Sequence, residues 1–253
     1  MTKVKVGDRF QTNEGYEAEV IKYNGSLDVV IKFNDEFNYE KRVEAANLRK
    51  GNVKNPYHKS VIGVGFYGHG PHKAKIRGKV QRVYNVWKAM FVRCYSQKEL
   101  NRHPTYMDCR VDSRWHNFQV FADWFYEQPN HDSVGFDLDK DLLVLGNRVY
   151  GPEFCSFVPN SINKLLSDSR GSRGKYPQGV STHRDGKYYA NIQINNKQRC
   201  LGSYATPEEA EAVYRYAKQM YVKEQAMKHK DVLHPKVYDN LMNFNLSDLE
   251  KSA

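Results

Sequence analysis

Two stretches of this chain carry side chains whose type and spacing could do chemistry. The first is Phe136-Asp137-Leu138-Asp139-Lys140-Asp141, in which Asp139 and Asp141 flank one amine. Paired carboxylates can hold a divalent cation. A lysine between two aspartates keeps its proton, which makes it a poor base at neutral pH. Such strings also serve as plain ion-pair clusters at strand ends. The second stretch runs from Gly179 to Tyr221. From Lys187 to Ile194, apolar Tyr188, Ala190, Ile192 and Ile194 alternate with Lys187, Tyr189, Asn191 and Gln193. Successive side chains on a strand point to opposite faces, so the segment predicts one face for a core and one for a polar partner.

The elements that hold this second stretch are legible in turn. Asn195-Asn196 is a hairpin signal, and a further strand ends in Leu201-Gly202-Ser203-Tyr204. Thr206-Pro207-Glu208-Glu209 opens a helix with a capping threonine, a proline in the first turn and acid against the helix dipole. Ala210, Val213, Tyr214, Ala217 and Tyr221 form its apolar stripe. The expected unit is a three-stranded sheet laid on one helix, with a polar and cationic outer face. Its Gly179-Val180, Gly186-Lys187-Tyr188, Ala190, Ile192, Leu201-Gly202-Ser203-Tyr204 and the run from Thr206 to Ala210 resemble the AP2 domain, a DNA-binding module of plants and phages. That resemblance implies a sheet pressed into the major groove of duplex DNA. The family reads bases with arginines and tryptophans. The matching positions here hold Ser181, His183, Asp185, Asn191, Gln193, Gln198 and Cys200, so the plant-type target sequence does not carry over. Asn191 and Gln193 have the donor–acceptor pair that matches adenine, and Arg184, Lys187 and Lys197 suit phosphate. With His183, Tyr189 and Gln198 they make up the expected nucleic-acid-binding set.

Charge agrees with this when it is read by region. Of the net charge of +10, residues 1–50 contribute nothing, residues 51–159 contribute +5, residues 160–230 contribute +7 and residues 231–253 contribute −2. The excess lies in the central and AP2-like regions, where binding a polyanion needs it.

At 253 residues the chain can hold two or three small domains. No apolar run approaches the about 18–20 residues of a membrane span, and the N-terminus lacks a signal-peptide core. The expected setting is the cytoplasm, here of a phage-infected bacterial host, with no membrane partner. Cys94, Cys109, Cys155 and Cys200 are far apart with no CxxC pair, which argues against a disulfide framework and a zinc ribbon. Cys94, Cys109 and Cys155 could join a histidine around zinc; buried free thiols are the preferred reading.

Residues 1–50 read as a separate β unit. Val6-Gly7-Asp8-Arg9-Phe10, the strand-like runs from Tyr16 to Tyr23 and from Leu27 to Phe33, the Asn24-Gly25 hairpin signal and a closing segment from Val43 to Leu48 resemble an SH3-like barrel. A neutral barrel of this kind is expected to bind protein or pack on its neighbour rather than grip phosphate. A Gly-rich connector, residues 51–79, follows. Gly63, Gly65 and Gly68 fit GxGxxG as a bare string, but no strand–helix unit with a later acidic partner surrounds them. The connector also holds His58; His69 and His72 read as surface groups rather than metal ligands, and the segment as an ordered loop able to lie along nucleic acid.

Residues 80–170 carry two helical apolar stripes, Val83, Trp87, Met90 and Cys94, then Trp115, Phe118, Phe121, Ala122 and Phe125. Their frame is Trp87, Met90, Arg93-Cys94-Tyr95; Trp115, Phe118, Phe121, Trp124; Leu138-Asp139-Lys140-Asp141; Asn147, Tyr150, Pro152-Glu153, Cys155, Phe157-Val158-Pro159 and Ile162-Asn163. It resembles phage proteins related to HNH endonucleases, which often carry AP2 modules. The resemblance implies a ββα site in which a histidine activates water and one divalent metal, Mg²⁺, sits on the leaving oxygen. Here Lys140 stands at the base position, Phe154 at the central asparagine and Asn163 at the helix asparagine, so the expected catalytic set of Asp139, Lys140, Asp141 and Asn163 is degenerate. Three readings stay open. The scaffold binds DNA without cleaving it; or Asp139 and Asp141 bind Mg²⁺ while His131 or His116 supplies the base; or Asp139-Lys140-Asp141 is a structural ion-pair cluster.

The tail, residues 231–253, places Leu233, Val237, Tyr238, Leu241 and Phe244 at helical spacing, which predicts a short packed helix. The expected fold class is α+β multidomain: an SH3-like β-barrel (1–50), the connector (51–79), a degenerate HNH-like ββα domain (80–170), an AP2-like sheet plus helix (175–230) and the tail. The expected function is phage-type binding of duplex DNA. The alternatives are an active metal-dependent homing-type endonuclease and a phage factor that blocks a host protein, with residues 1–50 as the protein-binding part.

Overall fold

The computed structural model describes residues 3–166, 175–195 and 197–246. Its first elements are β1 (Arg9–Gln11), β2 (Glu17–Gly25), β3 (Asp28–Phe33), β4 (Glu40–Val43), α1 (Ala45–Arg49), β5 (Lys75–Ile76), β6 (Lys79–Val80) and α2 (Arg82–Tyr95). There follow α3 (Gln97–Arg102), β7 (Arg110–Val111), α4 (Phe118–Glu127), β8 (Phe136–Asp139), β9 (Val149–Tyr150), β10 (Ser156–Pro159) and α5 (Asn160–Asn163). The last are β11 (Val180–Thr182), β12 (Tyr188–Ile194), β13 (Lys197–Tyr204), α6 (Pro207–Lys228) and α7 (Pro235–Met242). The protein is thus mixed α+β, with several small sheets and seven α-helices among the described residues. It divides into two compact units, Met1–Ser96 with Ser113–Asp123, and Gln97–Asp112 with Trp124–Ala253.

In the first unit, β1 to β4 form an antiparallel sheet in chain order. Ala18, Val20, Val29, Ile31 and Phe33 alternate onto one face and bury themselves with Val4, Ala45, Leu48 and Val53. The expected barrel is corrected to an open sheet: its edges, β1 and β4, do not pair with each other. Those edges are only three and four residues long, too short to wrap round and close the hydrogen-bond ladder. The segment expected as a closing strand, Val43 to Leu48, instead turns into α1, because Ala45 and Leu48, three apart, reach the core only from a helix.

The connector is ordered by aromatic contacts. The Tyr57 ring stacks on Phe37 at 4.1 Å, His58 bonds the Tyr16 hydroxyl through Nδ1 at 3.3 Å and His69 bonds that of Tyr39 through Nδ1 at 3.1 Å. His72 lies 2.7 Å from Asp123 through Nε2, and its amide donates to the buried Gln119 side chain. The glycines serve packing rather than phosphate. A Cβ on Gly65 would lie 3.0 Å from ring atoms of Trp87 and Phe91, and one on Gly68, at φ +72°, would overlap the Asn117 amide. Beside them Val83, Trp87, Met90, Phe91 and Cys94 of α2 are buried, and the Trp87 indole donates to the Trp115 carbonyl at 2.7 Å.

In the second unit, β8 and β10 form an antiparallel ribbon with Asp139 opposite Ser156 and Phe136 opposite Pro159, and α5 follows directly. β11, β12 and β13 form the expected three-stranded sheet. α6 starts with the expected capping box: Thr206 accepts from the Glu209 amide and the Glu209 carboxylate accepts from the Thr206 amide. Ala190 and Ile192 from the sheet meet Ala210, Tyr214 and Tyr221 from α6, and α7 adds Val237 and Leu241. Leu142, Leu143, Val158, Ile162 and Leu165 lie in this same core. The ribbon, the β11–β13 sheet and the tail share one core. Asn240 ties them, donating to the carbonyls of Leu142 at 2.8 Å and Leu143 at 3.1 Å.

Candidate functional site

β12 is the central strand of its sheet, so its register decides what the outer face presents. Ser181, Tyr189 and Ser203 lie side by side, as do Asn191 with Cys200 and Gln193 with Gln198. Residues directly opposite on paired strands share a face, so this row is the one turned away from Ala190 and Ile192. A bulge between Ala190 and Asn191 shifts the pairing, from Gly202 opposite Ala190 to Cys200 opposite Asn191, so Leu201 has no partner on β12.

Several polar groups on this face are already committed. The Tyr189 hydroxyl donates to Asp185 Oδ2 at 2.6 Å and the Lys187 amide to Asp185 Oδ1 at 3.1 Å. The Tyr189 hydroxyl, followed by the Lys187 amide, holds the Asp185 carboxyl below its ordinary range. The His183 ring stands edge-on to Tyr189 at 4.5 Å. Asn191 spends both amide hydrogens inside the sheet, on Ser181 Oγ at 2.9 Å and the Tyr189 carbonyl at 3.3 Å. That leaves only its carbonyl oxygen, so Asn191 cannot make the donor–acceptor pair expected of it without breaking the sheet's own bonds. Gln193 and Gln198 are different. Both are exposed, and neither amide makes a hydrogen bond among the described residues. Arg184 and Lys187 are exposed at the opposite end of β12, where Thr182 pairs with Tyr188, and Lys197 is exposed beside Gln198. So is Arg199, which the alternation rule hides: it pairs with Ile192 on the core side, yet on an edge strand its side chain reaches water.

The Asp139–Asp141 corner has another character. Asp139 ends β8, and Asp139 and Lys140 are both buried. Asp139 Oδ1 accepts from the amides of Asp141 at 2.8 Å and Leu142 at 2.7 Å, which turns the chain after the strand. Lys140 Nζ donates to Asp141 Oδ1 at 2.6 Å and to the Asn147 carbonyl at 3.2 Å, and lies 5.8 Å from the ring centres of both Tyr106 and Tyr150. Burial works to lower the Lys140 pKa, but the Asp141 charge and hydrogen bond outweigh it, so the net shift is upward and the amine stays protonated. Burial, then the Asp141 charge, pushes the Asp139 carboxyl up to about 6 against its two amide donors and Lys140. Asn163 closes α5, which starts from the ribbon end where Pro159 faces Phe136, three residue pairs along from Asp139. His131 bonds the Gln128 carbonyl through Nδ1 at 2.8 Å, and the His116 ring packs on Phe91. No group of three or more His, Cys, Asp or Glu placed to hold a metal occurs among the described residues. Cys94, Cys109 and Cys155 are buried free thiols, and burial pushes the Cys155 thiol well above its ordinary value.

The buried Asp139 carboxyl makes stability depend on pH. Its folded pKa, about 6, lies above the ordinary 3.8, so its contribution to stability is full below about pH 4 and is lost as the pH rises through about 6. The substitution Asp139→Asn would keep the amide-accepting oxygen without the charge. Relative to that variant, the native protein should lose about 2 kcal/mol between pH 4 and 6.5. Urea unfolding of both proteins across this range checks it, and a pH-independent difference between them would refute it.

No family model, curated protein or solved structure matches the chain. Among the described residues no helix is long and apolar enough to cross a membrane.

Proposed function

We propose that the chain is a phage-type duplex-DNA-binding protein that reads its target with the outer face of β11–β13, and that its β8–β10–α5 scaffold supports the fold without cleaving. One observation carries this reading: Gln193 and Gln198 lie side by side with uncommitted amides next to exposed Lys197 and Arg199 of the edge strand β13, with Arg184 and Lys187 exposed at the other end of β12, on a sheet whose other face is spent on α6. Glutamine amides pair bidentately with adenine in the major groove, and the cations suit the flanking phosphates. The protonated, ion-paired Lys140 supports the non-cleaving half of the proposal, because it has no free electron pair with which to take a proton from water.

The test has two arms. In selection from a randomised duplex library, Gln193→Ala and Gln198→Ala should each relax one position of the preferred site by about 1–3 kcal/mol. Asn191→Ala should chiefly weaken the sheet. A preference unchanged in the double glutamine variant would overturn the assignment. In the second arm the protein is incubated with supercoiled plasmid in Mg²⁺, Mn²⁺ or EDTA. No cleavage is expected; metal-dependent cleavage abolished by Asp139→Ala would make the protein a nuclease instead.

A further inference from the structure

From Ala45 to Lys98 the chain holds twelve Lys or Arg and no Asp or Glu. The middle of that run forms the β5–β6 hairpin, in which Lys75 pairs with Val80 and Ile76 with Lys79. Arg77 and Gly78 form its turn with φ of +45° and +80°, the two positive values that a two-residue hairpin loop requires. Every residue from Lys75 to Val80 is exposed. The side chains of Lys73, Lys75, Arg77 and Lys79 make no ion pair among the described residues. The stem is nonetheless fixed. The Gln81 amide donates to the Ala74 carbonyl at 2.9 Å, the Ala74 amide to the Tyr67 hydroxyl at 3.2 Å, and that hydroxyl to the His72 carbonyl at 2.6 Å.

This is a rigidly mounted, twisted ribbon with no packing role of its own. A two-stranded hairpin this short would not persist alone in water. Its charges are spread so that no two neighbours repel across the ladder. Adjacent residues on a strand alternate faces, so Lys75 and Lys79, which sit opposite apolar partners, point to opposite sides, and Arg77 occupies the tip. Two residues per strand at about 3.4 Å each, plus the turn, match a major groove about 8.5 Å deep and about 12 Å wide, which admits a two-stranded ribbon. We infer that the β5–β6 hairpin is a second DNA element that enters the major groove, with Lys75 and Lys79 on the two flanking phosphate backbones and Arg77 at the groove floor. Ile76 and Val80, 48% and 49% exposed, then meet sugars and base edges instead of water. The inference rests on the reading that the chain binds duplex DNA, and it adds a site in the other compact unit.

The test compares the full chain with Lys75→Gln/Arg77→Gln/Lys79→Gln on a non-specific duplex over a salt series. Each lost phosphate contact lowers the log–log salt slope by about 0.9, so the triple variant, which loses the two phosphate contacts of Lys75 and Lys79, should lose about 1.8. Thermal unfolding should not change, and Lys75→Arg/Lys79→Arg should keep the native slope. An unchanged slope in the triple variant would overturn the inference. So would a variant that loses adhesion to phosphatidylserine vesicles but keeps its duplex affinity, since the hairpin would then be a membrane-surface element. The two readings separate cleanly. If the hairpin variant loses slope while the Gln193/Gln198 variant keeps full preference, the sheet assignment falls and the hairpin stands. If the native protein binds no duplex at low salt, both fall.

Discussion

Lys140→Ala should lower the unfolding free energy by about 3 kcal/mol while leaving the salt dependence of duplex binding untouched. Its ammonium is buried, donates to Asp141 and the Asn147 carbonyl, and lies between the Tyr106 and Tyr150 rings. Removing it strands the Asn147 carbonyl and takes a favourable charge from the buried Asp139 carboxylate, whose ionised form burial already penalises. Because breaking a buried pair costs more than replacing it with an apolar group of similar volume, Lys140→Met should recover part of the loss. Asp141→Asn, at a side chain 51% exposed, should cost about 1 kcal/mol or less. Urea denaturation at pH 7 measures all three. A Lys140→Ala cost below about 1 kcal/mol would show that this corner is not a structural cluster, and would reopen a chemical role for it.

Gly179→Ala should be of similar size and should also reach the sheet's outer face. Gly179 has a φ of +80°, and a Cβ there would overlap the Tyr214 ring of α6. Its carbonyl accepts the Asn191 amide at 2.7 Å, so whatever shifts to make room pulls on the strand next to Gln193. A positive-φ penalty of about 1 kcal/mol plus overpacking of about 1–3 kcal/mol gives roughly 3 kcal/mol. Gly186→Ala isolates the first contribution. Its φ is +74°, but nothing lies within 4 Å of the added Cβ, so it should cost about 1 kcal/mol. Thermal unfolding of the two variants, run beside duplex titrations, separates the effects. Equal costs at both positions would mean that Tyr214 does not clamp the sheet.

The features legible in the sequence are those in which a residue's neighbours along the chain set its state. The alternation in β12, the capping box at Thr206 and Glu209, the stripe of α6 and the tail helix all depend on spacings of two to four residues, and all stand in the structure. The helix α1 of the first unit escapes such a reading because Val43 to Leu48 is short, and at that length a strand and a helical turn look alike. The hairpin at Lys75 is hidden for a related reason: two residues per strand leave no period to detect.

What the sequence determined by itself is the local fold of β12, α6 and α7, the regional excess of positive charge, and the presence of a polar strand face carrying Asn191 and Gln193. Only the tertiary structure decided that Asn191 spends its amide on Ser181 while Gln193 keeps its own, that Lys140 is buried, and that the β1–β4 sheet stays open. It alone joined the β8–β10 ribbon to the β11–β13 sheet in one core, through contacts such as Asn240 with Leu142, 98 residues apart. Propensity and period act over a few residues, but burial and hydrogen-bond partnership are set by whichever distant residues close the core. A side chain's chemistry follows from those.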